Sequence, residues 1–324
     1  MKKVVGILLS FMMIFSVVGC TDSKTETVST KDYPSKAINV IVSYKAGGGT
    51  DRGARVLAPI AEKTLGQPFV IINKPGADGE LGFTELAQAE PDGYTIGFIN
   101  LPTFVSLPLQ RNTKYAKSDV VPIANHVYDP GVLVVRGDSK WKTLEDFITY
   151  AKENPEKITV SNNGTGASNH IGAAHLAYEA GIKLTHVPFG GSSDMLAALR
   201  GSHVDATVAK ISEVAQLVKS GELRLLATYT KERLEICPEI PTLKEKGYDI
   251  LFGSARAIVA PKGTPDEVIK VLSEKLKEAI ESKEHMEAAK KGDLPIQYMS
   301  PEELQTYMDE QEAYLKDIST KLEL

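Results

Sequence analysis

A run of small residues, Ala46-Gly47-Gly48-Gly49-Thr50-Asp51, is the first part of this sequence that could bind a ligand. It follows the apolar stretch 38–42, which predicts a strand, and it precedes a helical pattern over 51–65. Glycines let a ligand approach the backbone closely, and the free N–H groups of a helix's first turn attract anions. The run therefore predicts a carboxylate or phosphate site. A tight turn with Asp51 as the helix N-cap explains it equally well.

A second junction of the same kind follows a later predicted strand and covers residues 161–170. It offers two glycines together with hydroxyl and amide groups that can donate hydrogen bonds to a carboxylate. Ser168 can instead cap the next helix, so a simple turn and cap is the alternative. Two such loops favour one ligand shared between two parts of the fold.

Enzymatic motifs are missing from the sequence. It contains no phosphate-binding G-x-x-x-x-G-K-[ST] run, no metal-binding H-E-x-x-H and no nucleophile motif G-x-S-x-G. The first glycine run also lacks the G-x-G-x-x-G spacing and the acidic partner of dinucleotide-binding loops. His170 is the one plausible general base, and a polar residue at a helix N-terminus is the simpler interpretation. The six histidines are scattered. We therefore expect a binding protein with no catalytic residue, no cofactor and no metal, not an enzyme.

Strand and helix patterns alternate along the chain, which predicts an α/β protein with helices covering mixed sheets. Among these elements we expect a strand at 132–135, helices over 144–153 and 168–180, and helix ends at Gly66 and Gly181. Ligands bind such sheets at the carboxyl ends of the strands. We expect two lobes, the first formed by 37–136 plus 254–324 and the second by 137–253. Capping boxes are predicted at Thr264-Pro265-Asp266-Glu267 and at Ser300-Pro301-Glu302-Glu303, before the last helices.

The first residues resemble a lipoprotein leader. Lys2 and Lys3 precede an uncharged, mostly apolar run that ends at Val17-Val18-Gly19-Cys20. We expect residues 1–19 to be a signal peptide, Cys20 to be lipidated, and 20–36 to be a flexible tether. An uncleaved membrane anchor is the alternative. The protein is then extracytoplasmic and held at a membrane by its lipid.

Charge and cysteine content narrow the partners further. The chain of 324 residues carries a formal charge of −5, and loss of residues 1–19 removes Lys2 and Lys3 and no acid, which makes it −7. An acidic surface does not favour nucleic acid. Cys237 is the only other cysteine, so no disulfide within the lipidated chain is expected.

The sequence resembles the solute-binding proteins of tripartite tricarboxylate transporters, the Bug or TctC-like family, over about residues 33–320. The segments that carry the resemblance are Tyr33-Pro34-Ser35-Lys36, Gly47-Gly48-Gly49-Thr50-Asp51, Gln67-Pro68, Asn73-Lys74-Pro75-Gly76-Ala77, Pro91-Asp92-Gly93-Tyr94-Thr95, Gly164-Thr165-Gly166, His186-Val187-Pro188-Phe189, Gly201-Ser202-His203-Val204-Asp205 and Ala260-Pro261-Lys262-Gly263-Thr264-Pro265. The resemblance implies a two-lobed, type II-like Venus-flytrap fold of the periplasmic-binding-protein kind. It also implies a monomer that closes around a small di- or tricarboxylate and passes it to a two-component membrane permease. Presentation of the ligand to a membrane sensor kinase is the alternative function.

Departures from the family pattern suggest additional binding residues. Ser43-Tyr44-Lys45-Ala46 replaces the usual segment before the glycine run, Ala209-Lys210 follows a predicted strand, and Gly253-Ser254-Ala255-Arg256 precedes a family motif. If Lys210 and Arg256 face the cleft, the ligand is expected to carry a second anionic group. The predicted ligand-binding residues are Tyr44, Ala46, Gly48, Gly49, Thr50, Asp51, Asn163, Gly164, Thr165, Gly166, Ser168, Lys210 and Arg256.

Overall fold

The computed structural model of the protein describes residues 33–164 and 166–322. The predicted leader 1–19, the lipidation residue Cys20 and the tether as far as residue 32 lie outside this part, as does Thr165. Tyr33 is buried, and its hydroxyl donates to the carbonyl of Gly93 at 2.7 Å. Tyr33 therefore packs against the fold although it precedes the predicted lobe boundary at residue 37, and that boundary stays a prediction.

The described residues alternate between strands and helices as the sequence predicts. The strands are β1 (Ile38–Val42), β2 (Phe69–Asn73), β3 (Thr95–Leu101), β4 (Val120–Arg136), β5 (Thr159–Asn162), β6 (Thr185–Pro188), β7 (Ala206–Lys210), β8 (Leu223–Thr228), β9 (Gly253–Pro261) and β10 (Ile296–Met299). The helices are α1 (Gly49–Leu65), α2 (Glu80–Ala87), α3 (Thr103–Gln110), α4 (Leu144–Glu153), α5 (Ser168–Ala180), α6 (Ser192–Arg200), α7 (Ile211–Lys219), α8 (Asp266–Glu281), α9 (Lys283–Lys291) and α10 (Pro301–Leu322).

One long strand, β4, joins two groups of strands. Its residues 120–130 pair antiparallel with β9, which continues through β3 and β1 to β2, and β10 also pairs with this part of β4. Its residues 131–136 pair with β7 and β8, and β7 continues through β5 to β6. We call these groups the first and the second sheet half. The predicted lobe boundaries at 136/137 and 253/254 stay a prediction.

Helices cover both faces of each sheet half. The first half lies between α1 and α8 on one face and α2, α3 and α10 on the other, with apolar side chains filling both layers. The second half lies between α4 and α5 on one face and α6 and α7 on the other. The C-terminal helix α10 contacts both α3 and α5, and the Tyr314 hydroxyl lies 2.6 Å from His175 Nδ1. This helix therefore connects the two halves.

Two local expectations differ from the structure. The predicted capping box at Thr264 is wrong, because the Thr264 hydroxyl donates to the carbonyl of Pro261 at 2.8 Å and Pro265 is the N-cap of α8. The box at Ser300 is confirmed by reciprocal hydrogen bonds with Glu303. Among the described residues, no helix combines the length and apolar character needed to cross a membrane.

Candidate functional site

The main cavity has a volume of about 550 Å³ and lies between the two sheet halves. Its walls come largely from segments that follow the carboxyl ends of parallel strands, as expected for ligand sites in such sheets. The segments that follow β1, β3, β5 and β6 all reach it, and β9 contributes Ser254 and Arg256. A cavity of this volume suits a small molecule.

Most of the predicted site residues line this cavity. Those that line it are Tyr44, Ala46, Gly48, Gly49, Thr50, Asn163, Ser168, Lys210 and Arg256. Asp51, Gly164 and Gly166 do not, and Thr165 lies outside the described residues. The structure therefore brings both predicted loops and both predicted cations to one place. Their binding of a ligand stays a prediction.

Asp51 supports the first glycine run from behind. The N-cap of α1 is Gly48, so the interpretation of Asp51 as N-cap is wrong. The Asp51 carboxylate accepts hydrogen bonds from Gly47 N–H at 2.8 Å and from Arg55 and Asn73 at 3.0 Å. Burial alone would raise the pKa of Asp51, but these hydrogen bonds together lower it. The carboxylate thus holds the loop in place, and the cavity receives the backbone of Gly48, Gly49 and Thr50.

Arg256 lies directly behind the first turn of α1. A Cβ added to Gly49 would lie 2.5 Å from Arg256 Nη2, so any larger residue here requires the buried guanidinium to shift. The Arg256 side chain is 3% exposed, and Nη2 donates to the buried carboxylate of Asp129 at 2.5 Å. Its Nε and Nη1 have no hydrogen-bond partner among the described residues. The guanidinium therefore adds a buried positive charge beside a helix N-terminus.

Lys210 lies in the second sheet half, at the end of β7. Its ammonium donates to the Ser168 hydroxyl at 3.2 Å and lies 4.2 Å from the centre of the Phe252 ring. Burial lowers the pKa of Lys210 to about 8, while Glu213 and Asp129 act in the opposite direction. This second predicted cation is thus buried beside α5, where the second predicted loop ends.

The second loop uses part of its backbone internally. Gly164 N–H donates to Asn162 Oδ1 at 2.9 Å, and Gly166 N–H donates to His170 Nδ1 at 3.0 Å. These two N–H groups are occupied within the loop, and neither glycine lines the cavity. The N-cap of α5 is Ala167, so the capping interpretation of Ser168 is wrong. Burial lowers the pKa of His170 to about 4, and its contact with Gly166 gives it a structural role.

The sequence analysis missed a third helix N-terminus in the cavity wall. Gly190 and Gly191 precede α6, and the wall here runs from Gly190 to Asp194. The signal was present, because small residues again separate a strand from a helix. Three carboxylates also line the cavity and were not predicted: Asp78, Asp194 and Glu213. Among the described residues, no group of His, Cys, Asp and Glu side chains is arranged to hold a metal ion.

Residues 53–324 match the family described as the tripartite tricarboxylate transporter family receptor. The chain belongs to this receptor family. The receptor is 36% identical over 297 residues to the UPF0065 protein in gbd 5'region of Cupriavidus necator. This match covers 90% of the receptor and 89% of the relative. It is 32% identical over 296 residues to Protein BugT of Bordetella pertussis, and this match covers 89% of the receptor and 91% of BugT.

Solved structures confirm the two-lobed, mixed α/β fold of a periplasmic solute-binding protein. A TctC solute-binding protein from Polaromonas shares 32% identity and a TM-score of 0.73, covering 89% of the receptor and 99% of that chain. MatC from Rhodopseudomonas palustris with bound malate shares 26% identity and a TM-score of 0.81, and the match covers 88% of the receptor and 99% of MatC. An R. palustris protein solved with adipate shares 25% identity and a TM-score of 0.83, and the match covers 90% of the receptor and 98% of that chain. The Polaromonas neighbour is a TctC solute-binding protein, and the receptor is a solute-binding protein of the same family.

Proposed function

We propose that this receptor captures a small di- or tricarboxylate between its two sheet halves and delivers it to a two-component membrane permease. The observation that carries the proposal is the convergence of three helix N-termini, those of α1, α5 and α6, with the buried cations Lys210 and Arg256 around one cavity. Two neighbours of the same fold were solved with malate and with adipate, both dicarboxylates.

The binding free energy comes from local donors rather than from the overall charge, which is negative. Micromolar affinity needs about 8 kcal/mol. A helix dipole supplies about 0.3–1 kcal/mol for a charge at its N-terminus, and up to about 2 kcal/mol when the site is partly buried. Charge-assisted hydrogen bonds from backbone N–H groups and from the two cations supply the remainder.

Closure of the two halves around the ligand completes the mechanism. The Ser106 hydroxyl of α3 donates to the carbonyl of Gly166 at 3.2 Å, and Arg52 of α1 donates to the carbonyl of Ser212 at 3.4 Å. Both contacts join the first half to the second. A ligand that touches both halves binds the closed form more tightly than the open one, and this difference drives closure.

We also propose that the receptor is a lipoprotein anchored through Cys20. Acyl chains contribute about 0.8 kcal/mol for each methylene buried in the bilayer, so two or more chains hold a protein stably. Radioactive palmitate supplied to the cells should label the wild-type receptor and not the Cys20→Ser variant. An unlabelled wild-type receptor in the membrane fraction would favour an uncleaved anchor instead.

A thermal-shift panel of carboxylates, sugars and peptides tests ligand capture on the purified protein. We expect the unfolding temperature to rise with one or more di- or tricarboxylates. A flat response to every carboxylate, together with a shift for a sugar or a peptide, would contradict the proposal. Delivery is tested in cells: deletion of the receptor gene should abolish uptake of the acid that gives the largest shift. Uptake that persists would favour sensing over transport.

A further inference from the structure

The wall of the second sheet half contains a lysine ammonium in an unusual position. Lys210 is 6% exposed, and among the described residues the only hydrogen-bond partner of its ammonium is the Ser168 hydroxyl. An ammonium has three N–H donors. A buried cation with one neutral partner leaves donors that a ligand oxygen can take.

The local field makes this arrangement unfavourable without an anion. Ser168 is the first residue of α5, so the ammonium faces the positive end of a helix dipole of 13 residues. Burial lowers the pKa of Lys210, Glu213 and Asp129 raise it, and Arg256 lowers it, so that the resulting pKa is about 8. An anion placed here accepts from the ammonium and also compensates the first turn of α5.

The neighbouring carboxylates already have donors of their own. Glu213 accepts from the Ser192 hydroxyl at 2.8 Å and from the backbone N–H of Lys210 at 3.2 Å. Asp129 accepts from Arg256 and from the backbone N–H of Ser212 at 3.1 Å. Glu213 therefore stabilises the start of α7, and Asp129 stabilises both the start of α7 and the buried guanidinium. The ammonium of Lys210 remains available to the cavity that it lines.

The two cations stand on strands that flank β4. Arg256 of β9 pairs with Val127 in the first half of β4, and Lys210 of β7 pairs with Gly131 in the second half. Arg256 lies behind the first turn of α1, and Lys210 lies beside the first turn of α5. In each sheet half, therefore, a buried cation lies beside the first turn of a helix that lines the cavity.

We propose that Lys210 and the first turn of α5 bind a second anionic group of the ligand, while the first turn of α1 binds its first carboxylate. The inference rests on the proposed function and narrows it. The ligand class is a small acid with an anionic group at each end, and Lys210 is the residue that distinguishes it from a monocarboxylate of the same length.

Calorimetric titration with matched acids tests this assignment. The probes are adipate and hexanoate, which have the same number of carbons, and malate and 3-hydroxybutyrate, which form a shorter pair. The variant is Lys210→Met, which keeps an unbranched apolar chain only one atom shorter and removes the charge. Lys231→Met is the control, because Lys231 is exposed, follows β8 in the same sheet half and is not among the residues that line the cavity.

We expect the wild-type protein to bind a dicarboxylate at least about tenfold more tightly than its matched monocarboxylate. Lys210→Met should weaken the dicarboxylate by about 10- to 100-fold and leave the monocarboxylate within about threefold. Lys231→Met should change either affinity by less than about threefold. Equal affinity of the wild type for both members of a pair overturns the assignment while capture of a carboxylate stands. An equal loss of dicarboxylate affinity in the two variants also overturns the assignment. If the protein binds neither these acids nor any other carboxylate, the proposed function itself is overturned.

A pH series on the wild-type protein makes the test independent of whether the variant folds. Affinity for the dicarboxylate should fall at least about tenfold from about pH 7 to about pH 9.5, because Lys210 loses its proton in this range. Ordinary carboxylates and guanidinium groups do not titrate there. The other charged groups that face the ammonium or line this wall are Glu213, Asp129, Arg256 and Asp194. A dicarboxylate affinity that stays constant over the series overturns the assignment.

Discussion

Arg256 donates to Asp129 at 2.5 Å between two side chains that are 3% and 0% exposed. The pair lies where β4 passes from β9 to β7, and Asp129 also accepts from the first turn of α7 through Ser212. One carboxylate therefore compensates the guanidinium behind α1 and fixes the start of a helix in the other sheet half. The pair joins the two walls of the cavity through the strand that they share.

Asp129→Asn should strongly destabilise the protein. Removal of one partner leaves an uncompensated buried charge, which typically costs about 3–5 kcal/mol. Urea unfolding measures the change, and Asp138→Asn is the control, since Asp138 forms an exposed pair with Arg136. The double variant Asp129→Asn with Arg256→Met should recover part of the loss. Similar midpoints for Asp129→Asn and Asp138→Asn would contradict this account.

Gly49→Ala should disturb the first turn of α1. The new methyl would meet Arg256 Nη2 at 2.5 Å, and overpacking of a buried site typically costs about 1–3 kcal/mol. Gly191→Ala is the control, because Gly191 is the N-cap of a cavity-lining helix and a Cβ there meets no atom of the described residues within 4 Å. Thermal unfolding without ligand compares the two. Equal unfolding temperatures would show that Arg256 moves aside freely.

Gly166→Ala should weaken closure. Gly166 has a φ of 73°, and a Cβ there would overlap the Gln110 side chain at 1.8 Å across the two sheet halves. Gly181→Ala carries the same backbone penalty at a φ of 62° and meets no atom within 4 Å. Small-angle scattering with saturating ligand should give a larger radius of gyration for Gly166→Ala than for Gly181→Ala. Equal radii would mean that the contact does not limit closure.

Stability should fall as the pH drops below about 6.5, the usual histidine pKa. His126 and His285 are fully buried with their Nε2 atoms 2.9 Å apart, and His285 Nδ1 must donate to the carbonyl of Ile280. Burial lowers the pKa of both imidazoles. The unfolded chain therefore takes up protons that the folded protein excludes, so their contribution is complete above about pH 6.5 and declines below it.

Urea unfolding at about pH 7 and about pH 5 measures this effect. In His126→Gln the side-chain amide can still donate to His285, so the loss of stability between the two pH values should be smaller than in the wild type. The exposed His203 provides the control variant His203→Gln, which should behave like the wild type. An identical pH dependence in all three proteins would exclude the histidine pair as the cause.

The sequence predicts most elements of the fold because their apolar periodicity is regular. The helices at 144–153 and 168–180 are predicted at their observed bounds, and Gly66 and Gly181 end α1 and α5 in left-handed conformations as expected. β4 is longer than the predicted 132–135, since Pro122, Pro130 and buried polar side chains interrupt its apolar pattern. The helix α3 is missed because Pro108 lies inside it, and burial compensates for its low helix propensity.

The site is predictable where backbone donors form it and less so where side chains support it. The N-terminus of α1 follows from the glycine run, and the two cations follow from departures in the family pattern. The partner of Arg256 does not, because Asp129 becomes its neighbour only through the pairing of β4 with β9. The sequence also does not show that the Gly166 N–H is occupied, because its acceptor is the side chain of His170 in the first turn of α5.

The shared strand β4 sets the spacing between the two buried cations. Arg256 and Lys210 are attached to opposite halves of this strand, on either side of residues 129–131. A change of twist within these few residues alters the separation of the cations even when every side chain of the cavity stays the same. Selection for acids of different length can therefore act on the backbone of residues 129–131, which do not themselves line the cavity.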